Sequence, residues 1–351
     1  MSNTSASSAL VPKRWPIILA TIDVEASHGA RPFEQMILGQ TDQNQEWGVF
    51  KIAEILEQYG ATGTFYVDVY EDVFWGEDKM KALCQQLDAR GHDVQLHTHP
   101  SWRRDPRDSD DLNDFKQART RFPPEKDFMA KLSFEEQRDF LLEGKKLLES
   151  WLGKPVQSHR SGGYSINGDT VRALTTNGIT IDSSMNRSHS NSKLTWSDNK
   201  VVCKEGLFEF PVSYYNLFAF PGAPKILQRL MKTDLDSTPL HVLQKLTLDF
   251  EKRELRTFHL FMHSFTLLDI APDFSSFGIH QKRVERLHGY LKFAKDHDFS
   301  VCSVSDATRI ENWEAELLNG DDYIPQVAAP GFWFNLVKLR LRRAVFMKSR
   351  K

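Results

Sequence analysis

A parallel α/β fold is what this sequence predicts, and two observations predict it. Strand-like and helix-like segments alternate over most of the chain, each new strand arriving after a helix. Four polar clusters then fall at the carboxyl ends of those strands, the pole where active sites of parallel sheets and barrels assemble. At 351 residues the chain can bury a full core. A barrel-like α/β domain of this length often runs undivided, so one large domain is expected rather than two.

The elements follow in order. Ile17 to Ile22 reads as a buried strand. Val49, Ile52, Ala53 and Leu56 repeat at helical spacing and stop at Gly60, a favoured helix end. Thr64-Phe65-Tyr66-Val67 is the second strand, Met80, Leu83, Cys84 and Leu87 line the next helical face, and Asp93 to His97 is the third strand. Ser133 and Glu136 have capping-box spacing. The helix they open carries Phe134, Leu141, Leu148 and Trp151 before ending at Gly153. Next come a helix through Val171 and Leu174, a strand ending near Glu209-Phe210-Pro211, and a helix opened by Ser237 with Leu240, Leu243 and Leu246 inward. The strand Thr257 to Met262, a helix with Val284, Leu287 and Leu291, and the strand Phe299 to Val304 complete the series. Residues 101–127 interrupt it with seven basic and seven acidic residues and the pair Pro123-Pro124. A solvated loop is expected there, and its start just after His99 lets Trp102, Arg103 or Arg104 line a substrate groove.

Composition is that of an ordinary soluble protein. The formal charge of −2 hides an asymmetry: residues 331–351 hold seven Lys or Arg and no acid, which leaves the rest of the chain at −9. No apolar run reaches the roughly 20 residues needed to span a bilayer. Pro16-Ile17-Ile18-Leu19-Ala20 is too short for a signal h-region and has an acid three residues on, so a cytoplasmic protein is expected. Cys84, Cys203 and Cys302 are far apart with no Cys-x-x-Cys spacing, which points to buried free thiols rather than a disulfide framework or a cysteine metal knuckle.

Chemistry concentrates at the strand ends. His97-Thr98-His99-Pro100 places two imidazoles two residues apart, on one face if the strand continues. Such a pair suits a divalent transition ion, and equally two ordinary strand-end histidines. Asp23 and Glu25 share a face in the same way at the end of the first strand. Carboxylates so placed persist mainly where a cation or an arginine compensates them, and Arg160 is the candidate arginine. Gly162-Gly163 follows it, either as a simple turn or as backbone whose N–H groups face a developing oxyanion. His263 ends a strongly apolar strand. Each cluster alone has a bland reading. Together at one pole they supply a carboxylate base, a metal set, an oxyanion donor and a general acid.

On Thr21-Ile-Asp-Val-Glu25, Gly60-Ala-Thr-Gly-Thr-Phe-Tyr66, Gly91-His-Asp-Val-Gln-Leu-His-Thr-His-Pro100, Arg160-Ser-Gly-Gly-Tyr164 and Met262-His263, in that order, the chain resembles the polysaccharide deacetylase superfamily, carbohydrate esterases with a NodB-homology domain. The resemblance runs over residues 16–310, between an N-terminal extension, 1–15, and a C-terminal extension with a basic, aromatic tail, 311–351. It implies a NodB-like distorted (β/α) barrel of about seven parallel strands with outer helices, and metal-dependent removal of an N- or O-acetyl group from a sugar. Residue by residue it implies Asp23 as the carboxylate that activates water, Arg160 as the arginine that orients it, Glu25 and His97 as metal ligands, and His263 as the acid that protonates the leaving amine. The Gly163–Tyr164 segment would supply the oxyanion N–H, with Gly163 and Trp102 against the substrate. Two departures stand out. The usual adjacent pair of aspartates is here Asp-x-Glu. The usual second histidine falls where this chain has Ser101, so His99 takes its place, as in a His-x-His-Pro branch similar to proteins of lipopolysaccharide and surface-glycan synthesis.

Imidazole and carboxylate ligands suit zinc first, with Co, Ni or Fe as alternatives. The implied partner is an acetylated sugar or glycan. Nucleic acid is not expected, because the basic residues cluster in the tail of an otherwise acidic chain. For that tail, Phe332-Trp333-Phe334 followed by Lys338, Arg340, Arg342, Arg343 and Lys348 suits the anionic inner face of a membrane. Arg340 spoils the helical apolar face, so a tail packed on its own domain or a partner is the preferred expectation. Beside the deacetylase stand a hydrolase of a non-sugar amide and a non-catalytic glycan-binding relative.

Overall fold

In the computed structural model, which describes residues 11–26, 33–102 and 127–329, β1 (Ile17–Val24) is the organising strand. One edge pairs along its length with β10 (Thr257–His263). The other is shared: β13 (Val301–Cys302) meets Ile18 and Leu19, and β2 (Thr64–Asp68) meets Thr21 to Val24. From β2 the sheet continues through β3 (Asp93–Thr98), β4 (Ser158–Ser161), β5 (Ile181–Asp182) and β7 (Leu207–Glu209) to β6 (Val202–Lys204). Among the described residues it is a curled nine-stranded, mostly parallel sheet with edges at β10 and β6, the distorted barrel expected, with two strands more than the seven or so anticipated. Every pairing is parallel except β6 with β7, which Glu205 and Gly206 join at φ 55° and 78°. Two positive φ values in a two-residue link are the type I′ geometry that matches strand twist.

Alternation along these strands positions the site. In β1, Ile18, Ala20, Ile22 and Val24 belong to the large core under the helices, whereas Ile17 and Leu19 belong to a second core with Ile181, Phe210 and Ile310. The next residues on that second face are Thr21 and Asp23, both buried. β10 repeats the pattern with Phe258, Leu260 and Met262 in the large core and His259, Phe261 and His263 opposite; β2 and β3 repeat it with Tyr66, Asp68, Gln95 and His97. Period two thus separates a largely apolar outer face from an inner face that in β1 is apolar at the amino end and polar at the carboxyl end. Some of the inner polar groups satisfy one another: Tyr66 Oη lies 2.9 Å from Ser158 Oγ, and Gln95 Oε1 accepts from the Ser158 N–H at 2.9 Å, whereas Thr21 Oγ1 and both ring nitrogens of His259 are buried without a hydrogen-bond partner.

Helices α1 (Val49–Gln58), α2 (Glu77–Ala89), α3 (Phe134–Leu152), α4 (Gly168–Thr176), α5 (Leu240–Lys252) and α6 (Gln281–Asp296) cover the outer face with Ile52, Leu83, Leu148, Leu174, Leu246 and Leu287 among their buried residues. The Ser133–Glu136 capping box forms, and Gly153 ends α3 at φ 67°. α5 begins later than expected. Its first flank is Pro239, while Ser237 turns its N–H and Oγ onto Asp234 Oδ1, at 2.7 and 2.6 Å. β13 is shorter than expected because Ser303 caps a helical turn from Val304, accepting from the Asp306 N–H. Cys84 and Cys302 are buried free thiols, but Cys203 on the edge strand β6 is exposed.

A smaller sheet lies outside the main one, with β8 (Tyr214–Phe218) between antiparallel β9 (Gln228–Lys232) and parallel β14 (Gln326–Ala328). β11 (Leu268–Ile270) and β12 (Phe277–Ile279) form a hairpin. From residue 311 to 329 the chain stays on the body, with Leu317 in the second core and β14 on β8, and the basic, aromatic tail from residue 330 lies outside the described residues. No helix among the described residues is long and apolar enough to cross a membrane.

Candidate active site

Strand register brings the four clusters to one place. Asp23 is paired with His263 on one side and Tyr66 on the other, and His97 with Asp68 and Arg160. Glu25 Oε2 lies 3.0 Å from His97 Nε2 and 2.5 Å from His99 Nε2, and the three groups offer ligand atoms all within 4.8 Å of one another. The far nitrogen of each ring is committed. His97 Nδ1 donates to the Arg160 carbonyl at 2.7 Å, and His99 Nδ1 lies 2.5 Å from Asp127 Oδ2. A carbonyl only accepts, so His97 carries its neutral-form proton on Nδ1 and presents the Nε2 lone pair to the site. The Asp127 carboxylate sets His99 the same way, the arrangement that orients and strengthens metal-ligating imidazoles. Two nitrogens and one carboxylate therefore fit a divalent transition ion. Without one, burial would raise Glu25, but the charge of His99 beside it holds it well below the usual carboxylate range. Burial would lower His99, and Asp127 and Glu25 raise it well above the usual imidazole value instead.

Ser101, where the family pattern has its second histidine, supports the first pair. Its Oγ and N–H donate to Asp127 Oδ1 at 2.7 and 3.3 Å, fixing the carboxylate that faces His99. Gly162 is equally tied to His99: a Cβ there would lie 2.5 Å from the imidazole Cε1 and Nε2. The second glycine serves conformation, since Gly163 and Tyr164 take φ of 55° and 58°. For tyrosine that region is strained, and such strain concentrates at functional sites.

Asp23 has a different environment from Glu25. Arg160, fully buried, donates from Nη1 to Asp23 Oδ1 at 2.9 Å, from Nε to the Ser183 carbonyl at 2.9 Å and from Nη2 to Ser183 Oγ at 2.7 Å. Its guanidinium also lies over the Tyr66 ring, 4.4 Å from the centroid. Arg160 thus compensates Asp23 alone, and Glu25 is matched by the histidines. His263 stacks on Phe265 with centroids 5.0 Å apart, its Nε2 is 3.6 Å from Glu25 Oε1, and its Nδ1 is 3.8 Å from Asp236 Oδ2. Burial would raise Asp236, but His263 and Arg283, whose Nε is 3.5 Å away, hold it below the usual range.

Several of these groups were not foreseen from sequence. Asp127 sits at the end of the segment read as a solvated loop. Lys232 ends β9 and Asp236 follows it; Lys232-x-Asp234-x-Asp236 repeats the every-second-residue charge pattern of Asp23-x-Glu25 and gives the one available signal. Lys232 Nζ donates to Tyr164 Oη at 3.0 Å, lies 3.8 Å from the Phe261 centroid and is 3.9 Å from Asp234; burial lowers its pKa against the pull of Asp234 and Asp23. Trp102 closes a 3₁₀ turn after His99, but its side chain, Arg103 and Arg104 lie outside the described residues.

Behind the site, Glu71 is fully buried, accepting from the Ala26 N–H at 2.6 Å and from Trp75 Nε1 at 2.9 Å. Burial pushes it from 4.5 up to about 7 despite those donors. Between these values the folded state keeps a proton that the unfolded chain has released, so this group's contribution to stability falls as pH rises through that window. In chelator-treated protein the unfolding free energy of E71Q should therefore gain about 3 kcal/mol on wild type between the lower and upper value. Denaturant titrations at both pH values measure it, and a pH-independent difference would contradict it.

The model of the polysaccharide deacetylase family matches residues 39–181, the stretch that carries β2 to β4 with His97, His99 and Arg160. Over that stretch the chain is similar to the polysaccharide deacetylases. Among solved structures, the chain is similar to a Mycobacterium smegmatis protein assigned to the polysaccharide deacetylases, with 17% identity over 91% of this chain and 99% of the other at a TM-score of 0.52. That likeness supports the fold. A family 4 carbohydrate esterase from Streptomyces lividans, in complex with acetate, aligns at 9% identity over 90% of this chain and 100% of the other with a TM-score of 0.44. No curated protein sequence matches the chain.

Proposed function

We propose that this chain is a metal-dependent hydrolase that removes an acetyl group, N-acetyl first, from a sugar in surface-polysaccharide or lipopolysaccharide biosynthesis. The observation that carries the reading is the separation of two carboxylates two residues apart: Glu25 faces two oriented imidazoles, and Asp23 is held by Arg160 with no imidazole of the pair on it. Glu25, His97 and His99 would hold a divalent cation, zinc by preference, which supplies Lewis-acid polarisation and a lowered water pKa when bound. Asp23 then takes a proton from the attacking water. The Tyr164 N–H in its left-handed turn stabilises the oxyanion, with the Lys232 ammonium supplying positive charge beside it. His263 protonates the amine as the C–N bond breaks, leaving acetate and a free amino sugar, and Asp236 Oδ2 faces its Nδ1 at 3.8 Å.

Two measurements test this. Purified protein should carry or take up one divalent ion per chain and release acetate from N-acetylhexosamine derivatives in a metal-stimulated reaction. Stoichiometric metal with hydrolysis only of a non-sugar amide would move the activity within the superfamily. No bound metal together with no metal-stimulated acetate release would overturn the enzyme reading in favour of a glycan-binding relative.

A further inference from the structure

The outer sheet ends in an unusual surface. Phe220 is 51% and Ile226 is 77% exposed, and with Val11 they are the large apolar side chains left exposed among the described residues. Both lie in the link between β8 and β9. The link is folded: Ala219 N–H donates to the Leu227 carbonyl at 3.1 Å, Leu227 N–H to that of Pro224 at 2.8 Å, and Ala219 and Ala223 are buried against Phe218 and Leu227. It has its own small core, yet leaves these two side chains outside it. From Tyr214 to Thr233 the sequence carries Lys225, Arg229 and Lys232 and no acid.

A second observation converges on the same spot. β14 runs parallel to β8 and ends beside Phe218, where the Ala329 N–H donates to the Phe218 carbonyl at 2.9 Å. The chain therefore leaves the sheet at the end where Phe220 and Ile226 project. The sequence that follows is Phe332-Trp333-Phe334 and then seven Lys or Arg without an acid, in a protein whose remainder carries −9.

We infer that the β8–β9 tip, with Phe220 and Ile226 exposed among Lys225 and Arg229, docks on an anionic phospholipid membrane. Exposed apolar side chains set among cations match a surface with negative headgroups over hydrocarbon. The acidic remainder is repelled by the same surface, which orients the protein edge-on. Two apolar side chains are far too small a patch for a stable protein interface, which takes about 800 Å² per partner. β9 leads from this tip to Lys232, about 13 Å away at strand rise, so a docked molecule holds its polar pole close to the headgroups.

The test uses full-length protein and vesicles of phosphatidylcholine with or without about 30% phosphatidylglycerol. Co-sedimentation should occur with the anionic vesicles only and weaken in about 0.5 M salt. F220S/I226S should lower the partition coefficient about tenfold, the order expected for partly burying two apolar side chains. K225E/R229E and a 1–330 truncation should lower it as well, with elution volume, thermal melt and acetate release from a soluble substrate unchanged. Equal partitioning of F220S/I226S and wild type would overturn the proposal. So would binding indifferent to lipid charge, or a loss of self-association in F220S/I226S with vesicle binding intact, which would make the tip an interface between copies.

Discussion

Asp23→Asn should lower kcat for acetate release by 10²- to 10⁴-fold, the range of a positioned general base, while metal content stays at the wild-type level. The geometry separates these two effects. Arg160 is anchored by Ser183 through Nε and Nη2 and by the faces of Tyr66 and Phe261, at 4.4 and 5.4 Å, independently of Asp23. An asparagine oxygen can still accept from Nη1, so the buried guanidinium is not stranded without an acceptor. Removing the acceptor altogether, as in Asp23→Ala, leaves a fully buried charge unpaired and should cost about 3–5 kcal/mol of stability. Asparagine is therefore the informative variant, read by initial rates and by metal analysis of the same preparation. Full activity would end the assignment of Asp23 as base, and loss of metal would show that Asp23 belongs to the ligand set.

Gly162→Ala should weaken metal binding by 10- to 100-fold, the range seen when a ligand's support is disturbed. The reason is space alone. The added Cβ would sit 2.5 Å from His99 Nε2 and Cε1, closer than real carbon contacts allow. The ring has no easy retreat, because Nδ1 is held on Asp127 and that carboxylate on Ser101. The backbone at Gly162 is not in the left-handed region, so alanine brings no conformational penalty to confuse the result. Gly168→Ala is the control, since a Cβ there meets nothing within 4 Å. Competition against a fluorescent chelator measures both. Equal affinities for wild type and Gly162→Ala would remove His99 from the proposed ligand set.

How much of this was legible in the sequence depended on range. Period two and a following helix announced β1, β2, β3 and β10, and the residues at their ends were correctly placed at one pole because register in a parallel sheet carries every strand the same way. The Ser133 cap and Gly153 were readable because helix ends are decided by a few neighbouring residues. What escaped depended on contacts across the fold. Nothing local distinguishes Asp127 from the six other acids of its segment. Ser237 has the chemistry of a cap and spends it on Asp234. The two-residue Glu205-Gly206 link that turns β6 back was visible in principle as a glycine-containing tight turn, and it is the reason the sheet is mixed. The strands of the outer sheet are short and only half buried, so they lack the apolar run that betrayed the inner ones.

The Ser101–Asp127 contact bears on how such chains are classified and how they diverge. On the proposed assignment, the two histidine spacings are distinct local solutions with separate supports. The short spacing needs a carboxylate behind its second ring and a hydroxyl to hold that carboxylate. Installing histidine at position 101 would not restore the longer pattern; it would remove the hydroxyl on which the shorter one leans. A lineage moving between the two must change several positions together or pass through a form with neither. A survey that scores serine at this position as decay would therefore count an alternative solution among the losses.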